Sequence, residues 1–180
     1  MKHLTEYIIP FSGMKIGKYE YDYKIGKEFF DAFEYSEIKD GDLSVSVSIE
    51  KSETMMLMLF DIKGTVFLEC DLCLGNVKHA IENNFRQIFK FTDEEDLQLD
   101  DEITFVNSSM FEVNIAPNIV EFINLSKPNK VQHNKNECNE DITSVLNEYL
   151  LVEKEEVENN LDEDEIDPRW NALKKLKNNK

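Results

Sequence analysis

The stretch that most restricts the fold is GDLSVSVSIEKSETMMLMLF, residues 41–60. Leu43, Val45, Val47 and Ile49 interleave with Ser44, Ser46, Ser48 and Glu50. A period of two puts the apolar set on one face of a strand whose other face is wet. TMMLMLF at 54–60 is a continuous apolar run, short enough for a second, more deeply buried strand. KSET between them suits a hairpin loop. Two strands joined so tightly pair antiparallel, which commits the chain early to an antiparallel sheet.

Neighbouring segments extend the pattern. GKYEYDYKIG alternates as a strand, and KEFFDAFEY reads as a short helix with Phe29, Phe30 and Phe33 on one side. Gly64 breaks the apolar run, and Thr65 to Glu69 lead into a turn holding Cys70 and Cys73. Beyond it, Val77, His79, Ile81, Phe85, Phe89 and Phe91 take odd positions against Lys78, Glu82, Arg86 and Lys90. That favours a long strand, with a helix through Val77, Ile81, Phe85 and Ile88 as the alternative.

Downstream the period changes. APNIVEFINLSKP has Pro117 near a helix start, Ile119, Val120, Phe122 and Ile123 as an apolar stripe, and Pro128 as a stop. EDITSVLNEYLL places Ile142, Val145, Leu146, Tyr149 and Leu150 on one helical face, which is expected to dock on the sheet. Strands followed by helices, without regular βαβ alternation, predict an α+β fold. Its mainly antiparallel sheet, for which barrel-like closure is one option, would pack with a few short helices.

A chain of 180 residues is expected to hold one domain, with a core large enough to fold without metal or disulfides. That domain is placed at 1–152. EKEEVENNLDEDEID at 153–167 is too charged and too poor in apolar residues to offset its ordering entropy, and reads as a flexible acidic linker. Order is expected to return at 168–180. There Asp167 can cap, Pro168 suits the first helical position, and Trp170, Leu173 and Leu176 share a face. Lys174, Lys175 and Lys177 lie where the helix dipole favours cations. Arg169, Trp170, Leu173, Lys174, Lys175 and Leu176 are the candidate partner-binding set; the alternative is that Trp170 packs back on the body.

The formal net charge of -17 argues against a nucleic-acid clamp, because phosphates are repelled over most of such a surface. Basic partners suit it better, and a local basic patch can still touch RNA. No apolar run reaches the roughly 18 residues of a membrane span, and MKHLTEYIIPF has neither an adequate apolar core nor a small-residue cleavage site for a signal peptide. A cytoplasmic protein is expected. In that reducing compartment three cysteines are more naturally thiols, metal ligands or a redox pair than structural disulfides.

The cysteine pattern is the strongest chemical signal. Cys70 and Cys73 are spaced C-x-x-C at a hairpin tip, and His133 and Cys138 form H-x4-C in a polar segment beyond Pro128. Together they complete a Cys3His set of the kind that closes a tetrahedral zinc site and pins a loop to a sheet. Gly75 gives the turn backbone freedom. Two reduced thiols at a strand end, or a dithiol redox pair, are the alternatives. The redox reading suffers because the pair leads into a strand, away from any helix N-terminus that would depress a thiol pKa. His79 reads as a strand-face residue and His3 as part of a mobile terminus.

Other chemistry is poorly represented. Asp93, Glu94, Glu95 and Asp96 can gather a divalent ion, but crowding within DEEDLQLDDE fits a solvated loop better. No H-E-x-x-H, nucleophile elbow or P-loop occurs, and all six glycines lie at or before Gly75.

FSGMKIGKYEYDYKIGKEFF, GDLSVSVSIEKSETMMLMLFDIKGTVFLECDLCL, NIAPNIVEFINLSKPNKVQHNKNECN and DPRWNALKKL, in that order, resemble the YceD-like family. The most specific piece is LECDLC combined with Glu121, LSKP and the His133/Cys138 pair. The resemblance, covering nearly the whole chain, implies ribosome biogenesis: support of large-subunit rRNA production or processing, with no established catalytic activity. A large-subunit ribosomal protein or a preribosomal particle is the implied partner, with rRNA as a further contact and neither membrane nor small-molecule substrate involved. The family often has Arg where Leu72 stands and Asp where Asn114 stands, so no RNA-gripping role passes to Leu72. The rival class is an enzyme, either an rRNA-processing nuclease or a thiol redox protein using Cys70 and Cys73.

Overall fold

The computed structural model describes residues 2–93, 102–134, 137–139, 142–146 and 148–149. Contacts gather the chain into two compact units, 1–132 and 133–180. In the first, the elements are β1 (Ile8–Ile9), β2 (Gly17–Ile25), α1 (Lys27–Phe30), β3 (Asp40–Lys51), β4 (Met55–Glu69), β5 (Asn76–Thr92), β6 (Ile103–Asn107), β7 (Val113–Asn114) and α2 (Ala116–Leu125). The fold is α+β. A five-stranded sheet runs β2-β3-β4-β5-β6, and β1 and β7 pair separately. All its neighbours are antiparallel except β5 and β6, which run parallel. The sheet is open, since its edge strands β2 and β6 do not pair with each other, so the barrel-like closure does not occur.

Alternation in β3 sets the register. Val45, Val47 and Ile49 stand opposite Ile62, Phe60 and Met58, and all six are buried. The TMMLMLF run is buried on this face alone: Met55 and Leu59, pointing the other way, are exposed. A single covered face is enough to explain that difference from the expected deep burial.

Gly64 does not end its strand. β4 continues through it to Glu69, with Gly64 opposite Leu43 and Ile81. Its φ is +144°, and a Cβ there would sit 2.2 Å from the Asp42 carbonyl oxygen. Only glycine allows β3 and β4 this close together. The strand reading of residues 77–91 also holds, because β5 spans 17 residues and sets Phe89 opposite Met56 and Phe85 opposite Phe60.

Pro117 lies in the first turn of α2, and the Asn114 side-chain oxygen accepts the Ala116 N–H at 3.0 Å. The helix packs on the sheet through Phe122, whose ring is stacked on Phe85 (centroids 4.6 Å apart, 2° between planes) and lies 5.0 Å from Phe60. α1 is only four residues long, yet Phe29, Phe30 and Phe33 are all buried. Tyr7 and Phe11 complete the core against Tyr23 and Phe91. Burial pushes the Tyr23 hydroxyl up to about 12, with Tyr21 and Glu6 adding to the rise. That hydroxyl oxygen is buried with no hydrogen-bond partner among the described residues.

In the second unit, residues 142–146 and 148–149 are helical, as the spacing predicts. Ile142, Val145, Leu146 and Tyr149 of this stripe are exposed. Periodicity makes an amphipathic helix but does not say what covers it. Leu150, the linker at 153–167 and the segment 168–180 with Arg169, Trp170, Leu173, Lys174, Lys175 and Leu176 lie outside the described residues. Among the described residues no helix is long and apolar enough to cross a membrane.

Candidate metal centre

β4 and β5 are paired from Met55↔Lys90 to Glu69↔Asn76, so residues 70–75 form the tip of a long hairpin. The tip closes on itself: the Cys70 N–H donates to the Gly75 carbonyl at 2.8 Å and the Leu74 N–H to the Cys70 carbonyl at 2.9 Å. The Leu72 N–H points at Cys70 Sγ, 3.5 Å away. Cys70 and Cys73 are both buried. The left-handed residue in this turn is Leu74, at φ +57°, and not Gly75. A leucine there costs roughly 1–2 kcal/mol, and its side chain is 72% exposed.

The tip is tied to a distant segment through Asp71. Its N–H donates to the Val131 carbonyl at 2.8 Å, and its Oδ2 accepts the Val131 N–H at 2.7 Å. Two residues further on is His133, whose Nδ1 lies 3.6 Å from Cys138 Sγ. The ligand atoms of Cys70, Cys73, His133 and Cys138 all lie within 4.8 Å of one another.

This arrangement is compatible with a metal site and can be tested against zinc chemistry. Zn–S bonds of about 2.3 Å and a Zn–N bond of about 2.0–2.1 Å at tetrahedral angles place sulfurs about 3.8 Å apart and sulfur from nitrogen about 3.6 Å. The His133–Cys138 separation matches the second value. Three sulfurs and one imidazole suit zinc, whereas calcium and magnesium require oxygen donors. The remaining candidates separate cleanly. His79 lies on β5 opposite Val66, a strand-face residue as expected. The side chain of His3, and Glu94, Glu95 and Asp96, fall outside the described residues. Sequence reasoning missed Asp71, for which the only signal was a polar residue inside the cysteine turn.

The sequence signature of the family described as Large ribosomal RNA subunit accumulation protein YceD matches residues 58–177, two thirds of the chain, and spans all four candidate ligands. The chain belongs to this family. The YceD name describes accumulation of an RNA; it specifies neither a reaction nor a partner. No curated protein and no solved structure matches the chain.

Proposed function

We propose that this YceD-family protein is a cytoplasmic, non-catalytic factor of large-subunit assembly, carrying one structural zinc on Cys70, Cys73, His133 and Cys138. The observation that carries the reading is the family signature across residues 58–177. The convergence of the four donors supports the zinc. Four protein ligands keep no open coordination position, which favours a structural over a hydrolytic role. When bound, the metal supplies a cross-link; the chain itself supplies the hairpin and the segment it fastens.

Charge suggests how a partner is met. At a net charge of -17 the protein's field attracts a basic ribosomal protein and shields it before it reaches rRNA, since opposite fields steer association. The segment 168–180, carried on the acidic stretch 153–167, is the second proposed contact with a preribosomal partner, through Arg169, Trp170, Leu173, Lys174, Lys175 and Leu176.

The test measures the ratio of large- to small-subunit rRNA in cells lacking the protein, together with sedimentation of the tagged protein on gradients. A selective fall in large-subunit rRNA and cosedimentation with large-subunit precursors are expected. An unchanged ratio without cosedimentation would overturn the reading. Cleavage of precursor rRNA by the purified protein alone would make it a nuclease.

A further inference from the structure

Asp71 stands between the two buried cysteines without belonging to the donor set. Its backbone and side chain both engage Val131, giving a two-bond clamp (2.8 and 2.7 Å) between positions 60 apart in sequence. Val131 is itself buried, and an ionised carboxylate accepting an amide hydrogen is among the stronger hydrogen bonds a protein makes. Two extended residues span at most about 7 Å. Fixing Val131 to the hairpin therefore confines His133 to the neighbourhood of Cys70 and Cys73 by chain length alone.

We propose that Asp71 is a positioning residue for the metal centre: it holds the distant segment at the cysteine hairpin before metal arrives, so that zinc enters a preformed site. This rests on the reading of the four residues as zinc ligands. Without the clamp, the entropy of bringing the far ligands to the hairpin falls on the metal-binding step. With it, that ordering is already in place for His133 in the metal-free protein, and Cys138, five residues further on, closes the site. Asp71 thus acts as an outer partner that orients ligands, although it does so through the main chain.

Full-length wild-type, Asp71→Asn and Asp71→Ala proteins are compared in zinc competition against a chromophoric chelator, with hydrogen exchange at the Val131 amide followed in metal-free protein. Wild type is expected to bind one zinc and to protect the Val131 amide without metal. Asp71→Ala should bind zinc about 10- to 100-fold more weakly and lose the protection. Asp71→Asn, which keeps an acceptor oxygen, should recover most of both. Equal zinc affinity in wild type and Asp71→Ala would reduce the clamp to general stability and overturn the proposal. So would a Val131 amide that exchanges freely in metal-free wild type, a measurement that does not depend on the variant folding. Failure of wild type to take up zinc while Val131 stays protected would locate the error in the zinc reading, and the positioning role would fall with it.

Discussion

Replacing Gly64 by alanine puts a methyl group where β3 and β4 come closest. The new Cβ would lie 2.2 Å from the Asp42 carbonyl oxygen and 2.7 Å from the Leu43 Cα, whereas real Cβ atoms stay beyond 3.0 Å. The gap to the oxygen must therefore open by about 0.8 Å, the difference between 3.0 and 2.2. β3 and β4 are interior strands, so neither can yield without disturbing the ladder on its other side. The backbone at φ +144° is also one that an L-residue resists. Strain of roughly 1–3 kcal/mol and overpacking of roughly 1–3 kcal/mol together predict a loss of about 2–6 kcal/mol, a large share of the roughly 5–15 kcal/mol typical of a domain. Urea unfolding followed by far-ultraviolet circular dichroism reads this directly. Gly13→Ala is the control, since nothing lies within 4 Å of a Cβ there, and it should change stability by less than about 0.5 kcal/mol. A Gly64→Ala midpoint indistinguishable from that of Gly13→Ala would refute the close approach of β3 and β4.

Phe122→Ala removes the ring that joins α2 to Phe60 and Phe85 and should cost about 3–5 kcal/mol in the same assay. Tyr23→Phe removes a buried hydroxyl that has no hydrogen-bond partner among the described residues, so stability at neutral pH should hold or rise by up to about 1 kcal/mol. The raised Tyr23 pKa of about 12 means that the unfolded chain ionises first. Its contribution is therefore complete below pH 10 and is lost as pH climbs towards about 12, and Tyr23→Phe should flatten that decline in alkaline unfolding curves. Part of the decline should persist, because burial also raises Tyr7. His133→Ala leaves three of the four donors and should weaken zinc retention by more than about a hundredfold in chelator competition, beyond what an outer partner contributes.

How much was legible can be traced residue by residue. Leu43 to Ile49 announced a one-sided strand because side-chain direction alternates with backbone geometry alone, and the odd apolar positions from Val77 to Phe91 did the same for β5. The convergence of Cys70, Cys73, His133 and Cys138 was readable from ligand type and spacing, which follow the chemistry of the metal they suit. What escaped depends on partners that are distant in sequence. Gly64 looked like a break because its role is set by Asp42 on the adjacent strand. β6 is five residues long and is recognisable as a strand only beside β5, to which it runs parallel. Gly75 was read as the source of backbone freedom at the hairpin tip, yet the residue with positive φ there is Leu74. The apolar stripe from Ile142 to Tyr149 announced a helix, and residues 142–146 and 148–149 are helical.

X-ray absorption at the zinc edge of full-length protein, after metal quantification, addresses the four-donor centre most directly. One zinc per chain is predicted, with three sulfurs at about 2.3 Å and one nitrogen at about 2.0–2.1 Å, and with one sulfur fewer in Cys138→Ser. Zinc well below one per chain after reconstitution, or a shell of oxygen and nitrogen alone, would contradict it.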